Sequence, residues 1–168
     1  PEKMTIAIKD YDDILVALRR ITRAIDLHSK RLQKDTGLTT SQLLVMKAIA
    51  KLGSPSPSAI AREIVLSQAT VTSLLDRLEK QDLIQRSKSE DDKRVVRVDL
   101  TDRGNEKIAD APELLQSGFL KEYRTLPDWQ RNMLVASLQH IAFLMDAEAL
   151  DASPILAVGE LVPPKESP

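Results

Sequence analysis

The feature that most constrains this chain is a change in the period of its apolar residues between residues 57 and 100. Up to about residue 81 the apolar side chains recur every three or four positions, which is typical of amphipathic helices. From Leu83 onward they alternate with polar residues, and alternation is typical of half-buried strands. Neither short helices nor a strand pair can bury an apolar face alone, so we expect this region to form one compact lobe.

Local capping and turn signals set the limits of the elements in this lobe. Ser56 and Ser67 are each placed to cap a short helix, and only a three-residue break separates the two helices. Asp82 precedes the first strand, at a position where a left-handed turn would favour glycine. The predicted elements are helices over 57–64 and 68–81 and strands over 83–87 and 96–100, the strands being joined by a polar tip at 88–93.

Longer helical patterns lie on both sides of the lobe. A helix is predicted over 10–35, ended by Gly37, and a second begins at a cap supplied by Thr39 or Thr40. After the lobe, a helix from 102 towards 123 must kink or restart at Pro112. The first and last helices are expected to bury apolar stripes: Tyr11, Ile14, Leu15, Leu18, Ile21, Ile25, His28 and Leu32, and Trp129, Met133, Leu134, Leu138, Ile141, Leu144 and Met145.

These stripes carry more apolar surface than the small lobe could cover, so the helices that bear them are predicted to need a partner surface. The predicted fold class is mainly α with a small β-hairpin wing, flanked by N-terminal and C-terminal helices that need a partner surface. We divide the chain into an N-terminal helix, the lobe with its wing, C-terminal helices and a flexible tail, over 1–36, 37–101, 102–150 and 151–168.

The order of two short helices, a tight break and a hairpin is that of a winged helix-turn-helix, which binds double-stranded DNA. The second helix would read base edges in the major groove, helix starts would bind phosphates, and the hairpin would reach the flanking minor groove. The candidate DNA-binding residues are Ser56, Ser58, Ser67, Gln68, Ala69, Thr70, Thr72, Ser73, Arg77, Lys88, Lys93 and Arg94.

Charge alone does not support this assignment. The formal net charge is -1, and residues 62–103 carry nine basic and nine acidic side chains. DNA contact would therefore depend on where individual side chains point, and Lys88, Lys93 and Arg94 could equally balance the acidic residues of the hairpin. An alternative remains open: a winged-helix module that binds another protein and no DNA.

Several function classes are not expected. The absence of cysteine excludes disulfides, thiolate zinc sites and thiol-based redox sensing, and favours a cytoplasmic location. No apolar run approaches a membrane span, no export signal is evident, and no phosphate loop or catalytic motif indicates an enzyme or a cofactor. We interpret His28 and His140 as interior imidazoles rather than metal ligands, because no histidine or glutamate pairing supports a site.

Two segments resemble the MarR family of transcription regulators. Residues 66–72 with 75–79 resemble its recognition helix, and residues 92–94 with 100–104 resemble its wing signature. The resemblance covers about residues 10–147. The chain departs from the pattern at Asp82, which replaces a usual glycine, at Ser73, where some members carry arginine, and in the tail beyond about Ala152.

The resemblance implies a homodimeric regulator, most often a repressor, on a pseudo-palindromic operator. It implies that Asp92 braces Arg94, which enters the minor groove, and that the first and the last two helices interlock with their counterparts. It also implies release by a small, often phenolic effector bound between the dimer helices and the winged lobe. The first helix resembles, more distantly, the branch that controls compatible-solute (ectoine-type) genes, in which ionic strength could itself be the signal.

Overall fold

The computed structural model describes residues 2–89 and 92–147, with residues 2–10 as backbone only. The predicted tail, residues 151–168, and the hairpin residues Glu90 and Asp91 lie outside the described residues. The predicted class, mainly helical with one antiparallel hairpin, is confirmed. The described elements are α1 (Glu2–Thr36), α2 (Thr40–Leu52), α3 (Pro57–Ile64), α4 (Gln68–Lys80), β1 (Ile84–Lys88), β2 (Val96–Leu100), α5 (Asp102–Asp110), α6 (Leu115–Thr125) and α7 (Asp128–Leu144).

Side-chain caps fix the helix starts that the sequence predicts. Thr39, rather than Thr40, caps α2: its hydroxyl accepts from the Gln42 N–H at 3.2 Å, and the Gln42 side chain accepts from the Thr39 N–H at 2.9 Å. This reciprocal pair satisfies two N–H groups that the helix leaves free. Ser56 and Ser67 cap α3 and α4 as predicted. The helix-turn-helix therefore has the boundaries that its local signals indicate.

One helix boundary differs from the prediction, and the structure decides between the two predicted outcomes at Pro112. The first helix begins at Glu2 instead of residue 10, because residues 2–36 contain neither glycine nor proline and extending a formed helix is favourable. The helix predicted from 102 towards 123 is two helices, α5 and α6. Ala111 has an extended backbone with φ -72° and ψ 138°, as expected before a proline, so Pro112 marks a restart and not a kink.

The hydrophobic core lies within the winged lobe. It joins the buried faces of α2, α3 and α4 to β1 and β2, and Leu32 and Leu114 add to it from outside the lobe. Gly104 in α5 packs so closely on the lobe that a Cβ there would lie 2.0 Å from the Leu83 carbonyl oxygen. The core thus holds α4 against the wing and leaves its opposite face outward.

The outer helices differ from the expected burial. Within the single chain, α6 and α7 contain no buried residue, and of the predicted stripe on α1 only Leu32 is buried. Trp129 and Leu138 remain 64% and 51% exposed. The sequence correctly marks these faces as apolar, but within residues 2–89 and 92–147 no element covers them.

Candidate nucleic-acid interface

Helix α4 has one fully packed face and one open face. Val71, Leu75 and Leu78 are completely buried. The opposite face exposes residues that were predicted to contact DNA, and Ser73 lies half-buried at its edge. The exposed candidates of α4 are Gln68, Ala69, Thr72 and Arg77. The helix therefore presents short polar, amide and guanidinium groups on a rigid support, which are side chains that can reach base edges and phosphates.

Thr70 does not belong to this open face, and its predicted exposure is wrong. It is 7% exposed, and its hydroxyl lies 2.7 Å from the Ser67 hydroxyl. The physical reason is helical spacing: Thr70 precedes the buried Leu74 by four residues and Leu78 by eight, so all three lie on one face. Thr70 supports the cap of α4, in which Ser67 accepts from the Thr70 N–H at 3.1 Å.

One recess is lined by Ser58, in the first turn of α3, and by the exposed Gln68 at the start of α4. The Ser56 hydroxyl accepts from the Ala59 N–H at 3.3 Å and lies 3.1 Å from the Ser58 hydroxyl. Both serines are half-buried. Each helix start keeps N–H groups without intrahelical partners, and such groups bind anions. The starts of α3 and α4 can therefore each accept phosphate oxygens.

The wing is a two-stranded hairpin whose described tip is a tight turn. Lys88 pairs with Val96 in the strand register, and the Ser89 N–H donates to the Val95 carbonyl at 2.8 Å. The Val95 N–H donates to the Asp92 carbonyl at 2.9 Å, and the Asp92 carboxylate accepts from the Arg94 N–H at 2.9 Å. Asp92 thus shapes the turn through the backbone of Arg94. Lys88, Lys93 and Arg94 are exposed.

An ion-pair bridge joins the wing to the recognition helix, and the sequence reasoning missed it. The Arg86 guanidinium in β1 contacts the Asp76 carboxylate, and its Nε lies 3.3 Å from Glu79 Oε2. Asp76 and Glu79 are three residues apart on α4 and share a face. That spacing, followed by an arginine in the next strand, was the available signal. The bridge adds a polar link between α4 and the wing, which the core already packs together.

A second brace ties the turn before α3 to the outer edge of the wing. The Val98 N–H donates to the Pro55 carbonyl at 3.0 Å, and the Ser54 hydroxyl donates to the Asp99 carboxylate at 3.1 Å. Arg97 donates to the Ser54 carbonyl at 3.4 Å. Arg97 is exposed, as is Arg62, which lines a recess with Ser58 and Gln68. Sequence reasoning named neither arginine as a DNA contact.

A cleft of about 560 Å³ separates the winged lobe from α6. Phe119 and Leu120 of α6 form one wall, and Lys47 and Lys51 of α2 contribute positive charge. Lys51 forms an ion pair with Glu63. The cleft also reaches the turn between α3 and α4, at Val65. A planar anion would find both apolar and cationic partners there.

His28 is half-buried, but His140 is exposed, so its interpretation as an interior imidazole is wrong within the single chain. His28 Nε2 accepts from the Leu115 N–H at 3.1 Å, so it caps the start of α6, and His140 stacks on Phe143 with ring centroids 6.2 Å apart. Among residues 2–89 and 92–147 no cluster of three or more histidine, aspartate or glutamate side chains is arranged to hold a metal. Over the same ranges no helix is both long and apolar enough to cross a membrane.

Comparisons with known proteins agree on one family. The MarR family model matches residues 38–96. The chain is 30% identical to the HTH-type transcriptional repressor MdtR of Bacillus subtilis over 145 residues, covering 86% of this chain and 82% of MdtR. It is 32% identical to the regulator MgrA of Staphylococcus aureus over 110 residues, covering 60% of this chain and 73% of MgrA.

A solved structure shows the same likeness in three dimensions. The YusO protein from Bacillus subtilis superposes with a TM-score of 0.52 at 28% identity, covering 85% of this chain and 99% of YusO. The family match falls on the helix-turn-helix and wing described above, and the similarity to MdtR extends over the outer helices as well. The chain therefore belongs to the MarR family and is a DNA-binding transcription regulator.

Proposed function

We propose that this regulator is a homodimeric repressor that acts in the cytoplasm on a pseudo-palindromic operator. One observation carries the proposal: α4 buries one whole face in the lobe core and turns a polar face outward, beside a wing tip that exposes Lys88, Lys93 and Arg94. A helix of this kind fits the major groove while a hairpin follows the adjacent minor groove. The similarity to MdtR, a protein named a transcriptional repressor, supports repression rather than activation.

The residues of this surface fall into two groups, those that would contact base edges and those that would contact the DNA backbone or the minor groove. Gln68, Thr72 and Ser73 would contact base edges, and Ala69 would pack on a thymine methyl group. The other candidate residues would contact phosphates or the minor groove: Ser56, Ser58, Ser67, Arg77, Lys88, Lys93 and Arg94. Of these, Arg77 could also reach a guanine. Asp92 would hold the turn that aims Arg94, and Thr70 takes no direct part, because it is buried.

Two substitutions test this division on DNA from upstream of the regulator's own gene. Arg94→Ala should weaken binding to all DNA sequences, because it removes a contact with the DNA backbone. The slope of log binding constant against log salt concentration should become shallower by about 1. Gln68→Ala should cost roughly 1–3 kcal/mol at one base position and relax the preference there. Arg31→Ala on α1, an exposed arginine outside the lobe, is the matched control.

The readout is fluorescence anisotropy with an operator and its single-base variants. If both lobe variants lose affinity equally on every operator variant, the division of labour is wrong. If the wild-type protein ignores duplex DNA at low ionic strength, the proposed operator binding is wrong.

Dimerisation would cover the apolar faces that the single chain leaves open. Exposed apolar residues lie along α1, α6 and α7, among them Ile14, Phe119 and Leu138. A monomeric protein seldom exposes so much continuous apolar surface. Sedimentation should give a dimer, and Leu138→Glu should shift it towards monomer and weaken operator binding by uncoupling the two half-sites. A monomeric wild type would contradict this assembly.

The cleft between α2, α3 and α6 is the proposed effector site. Its aromatic and apolar wall and Lys47 suit a small aromatic acid or phenolate, whereas Lys51 is already paired with Glu63. A ligand bound in this cleft would release the operator only if it binds more tightly when the two recognition helices have a spacing different from that of the DNA-bound dimer. Lys47→Ala should abolish release by a panel of phenolic acids while leaving operator affinity in their absence unchanged.

Ionic strength is a second proposed signal, motivated by the resemblance of the first helix to the compatible-solute branch. Phosphate contacts weaken steeply with salt, so release would follow salt alone and would not change in Lys47→Ala. Footprinting across salt concentrations, with and without phenolic acids, separates the two signals. Unchanged operator occupancy under both treatments would contradict this mode of regulation.

A further inference from the structure

Helix α3 carries two neighbouring residues of opposite charge, and they line different surfaces of the lobe. Glu63 lines the cleft beside α6 and forms an ion pair with Lys51. Arg62 is exposed and lies about 100° away around the helix axis, so it lines the recess between α3 and α4 instead. Within residues 2–89 and 92–147 the Arg62 side chain has no ion pair. Its charge is therefore available to a ligand.

The recess beside Arg62 has a volume of about 640 Å³. Its lining residues come from α3, from the turn after α3 and from the first turn of α4: Ser58, Ala61, Arg62, Val65, Leu66 and Gln68. Arg62 is the one charged residue among them. An anion in this recess therefore meets a guanidinium group, and none of these lining residues offers a competing carboxylate.

Two residues that share the recess with Arg62 already belong to the proposed DNA-binding surface. Gln68 is the first residue of α4, and Ser58 lies in the first turn of α3. In a helix-turn-helix the second helix reads base edges in the major groove, while the first helix crosses the DNA backbone. The groove is about 12 Å wide, with phosphates along both rims. A cation on the first helix, next to the start of the second, therefore lies over a rim.

We propose that Arg62 binds a backbone phosphate at the rim of the groove that α4 enters, beside the base that Gln68 contacts. A guanidinium group can donate to two phosphate oxygens at once, so the contact would be directional as well as electrostatic. Phosphate contacts fix the position of a protein along the duplex, and this one would set where Gln68 meets its base. The inference rests on the proposed DNA-binding surface and adds a cation from outside α4 and the wing.

The charge balance of the lobe gives this contact its weight. Residues 62–103 carry nine basic and nine acidic side chains, so binding to DNA depends on cations that are not already neutralised. Arg86 is engaged by Asp76 and Glu79, and Lys51 by Glu63. Arg62 is not engaged in this way, and it can release counterions from the DNA when it binds.

Fluorescence anisotropy on DNA from upstream of the regulator's own gene tests the contact. Arg62→Ala should weaken binding to the operator and to all its single-base variants alike, roughly three- to tenfold per half-site at about 0.1 M salt. The slope of log binding constant against log salt concentration should become shallower by about 1 per half-site. Arg62→Lys keeps the charge and should keep the wild-type slope.

Two controls separate a local contact from other effects of the substitution. Arg31→Ala makes the same change of net charge at an exposed site on α1 and should leave the slope unchanged. Because Arg62 is exposed, Arg62→Ala should unfold at the wild-type urea concentration.

A neutral phosphate then locates the contact. In operators that each carry one methylphosphonate, the substitution beside the base read by Gln68 should weaken binding of the wild type and have no effect on Arg62→Ala. Wild-type affinity and slope in Arg62→Ala, a loss confined to one base pair, or additive effects at every phosphate would overturn the proposal. All three results leave operator binding by the wild type intact, which distinguishes them from failure of the proposed function, where the wild type would ignore duplex DNA.

Discussion

The bridge formed by Arg86 gives the sharpest prediction about the recognition helix. Arg86→Gln removes the cation that contacts both Asp76 and Glu79 on α4. Those carboxylates are 53% and 45% exposed, so screening by solvent limits the loss of folding stability to under about 2 kcal/mol for the two pairs together. The lobe should therefore remain folded in Arg86→Gln.

DNA binding should also weaken, because Arg86 offsets one of the two carboxylates on the helix that we place in the major groove, and its loss leaves both uncompensated. A carboxylate about 10 Å from a phosphate is repelled by about 0.4 kcal/mol in a water-like medium. Because Arg86 carries one positive charge, its removal adds one net negative charge to this surface, which costs about 0.4 kcal/mol, roughly a twofold loss of affinity per half-site. The loss should shrink as salt rises, because the repulsion is screened.

The assay is operator binding by anisotropy at two salt concentrations, with urea unfolding as a check on stability. Adding Asp76→Asn and Glu79→Gln to Arg86→Gln should restore most of the affinity by removing the unpaired charges. Arg131→Gln, which breaks the ion pair with Asp128 on α7, is the matched control and should not affect DNA. Wild-type affinity in Arg86→Gln, or no recovery in the triple variant, would refute the electrostatic reasoning.

Three further predictions concern the fold. Gly104→Ala should destabilise the protein by about 3 kcal/mol, because its Cβ would lie 2.0 Å from a backbone oxygen. Gly118→Ala lies in α6 with open space around the new Cβ, so it should stabilise the protein by about 1 kcal/mol. Urea unfolding of both variants measures these changes. Val65 is left-handed with φ +55° and 65% exposed, so Val65→Asn should raise the urea midpoint by relieving about 1 kcal/mol of strain, and a lower midpoint would contradict it. His28→Phe should speed hydrogen exchange at the Leu115 amide, while His28→Gln, which keeps an acceptor, should change it less; equal rates in both variants would argue against the cap.

The features that the sequence determined are local ones. Helix starts at Thr39, Ser56 and Ser67 follow from hydroxyl groups that reach an N–H only three residues away. The strand pair follows from an alternating pattern, and the family follows from two short motifs. Such signals depend on neighbours along the chain, so they can be read without knowing how the elements pack.

The tertiary structure decided which side chains meet across the lobe and which face of each helix stays open. Arg86 lies ten residues after Asp76 in the sequence and forms an ion pair with it across the lobe. The Val98 N–H donates a hydrogen bond to the Pro55 carbonyl, in the turn before α3. Thr70 was assigned to the wrong face, because a polar residue at the start of a helix can be read either as a contact or as part of its cap. These outcomes depend on the rotation of each helix about its axis, which is set by the packing of the whole core and not by any short stretch of sequence.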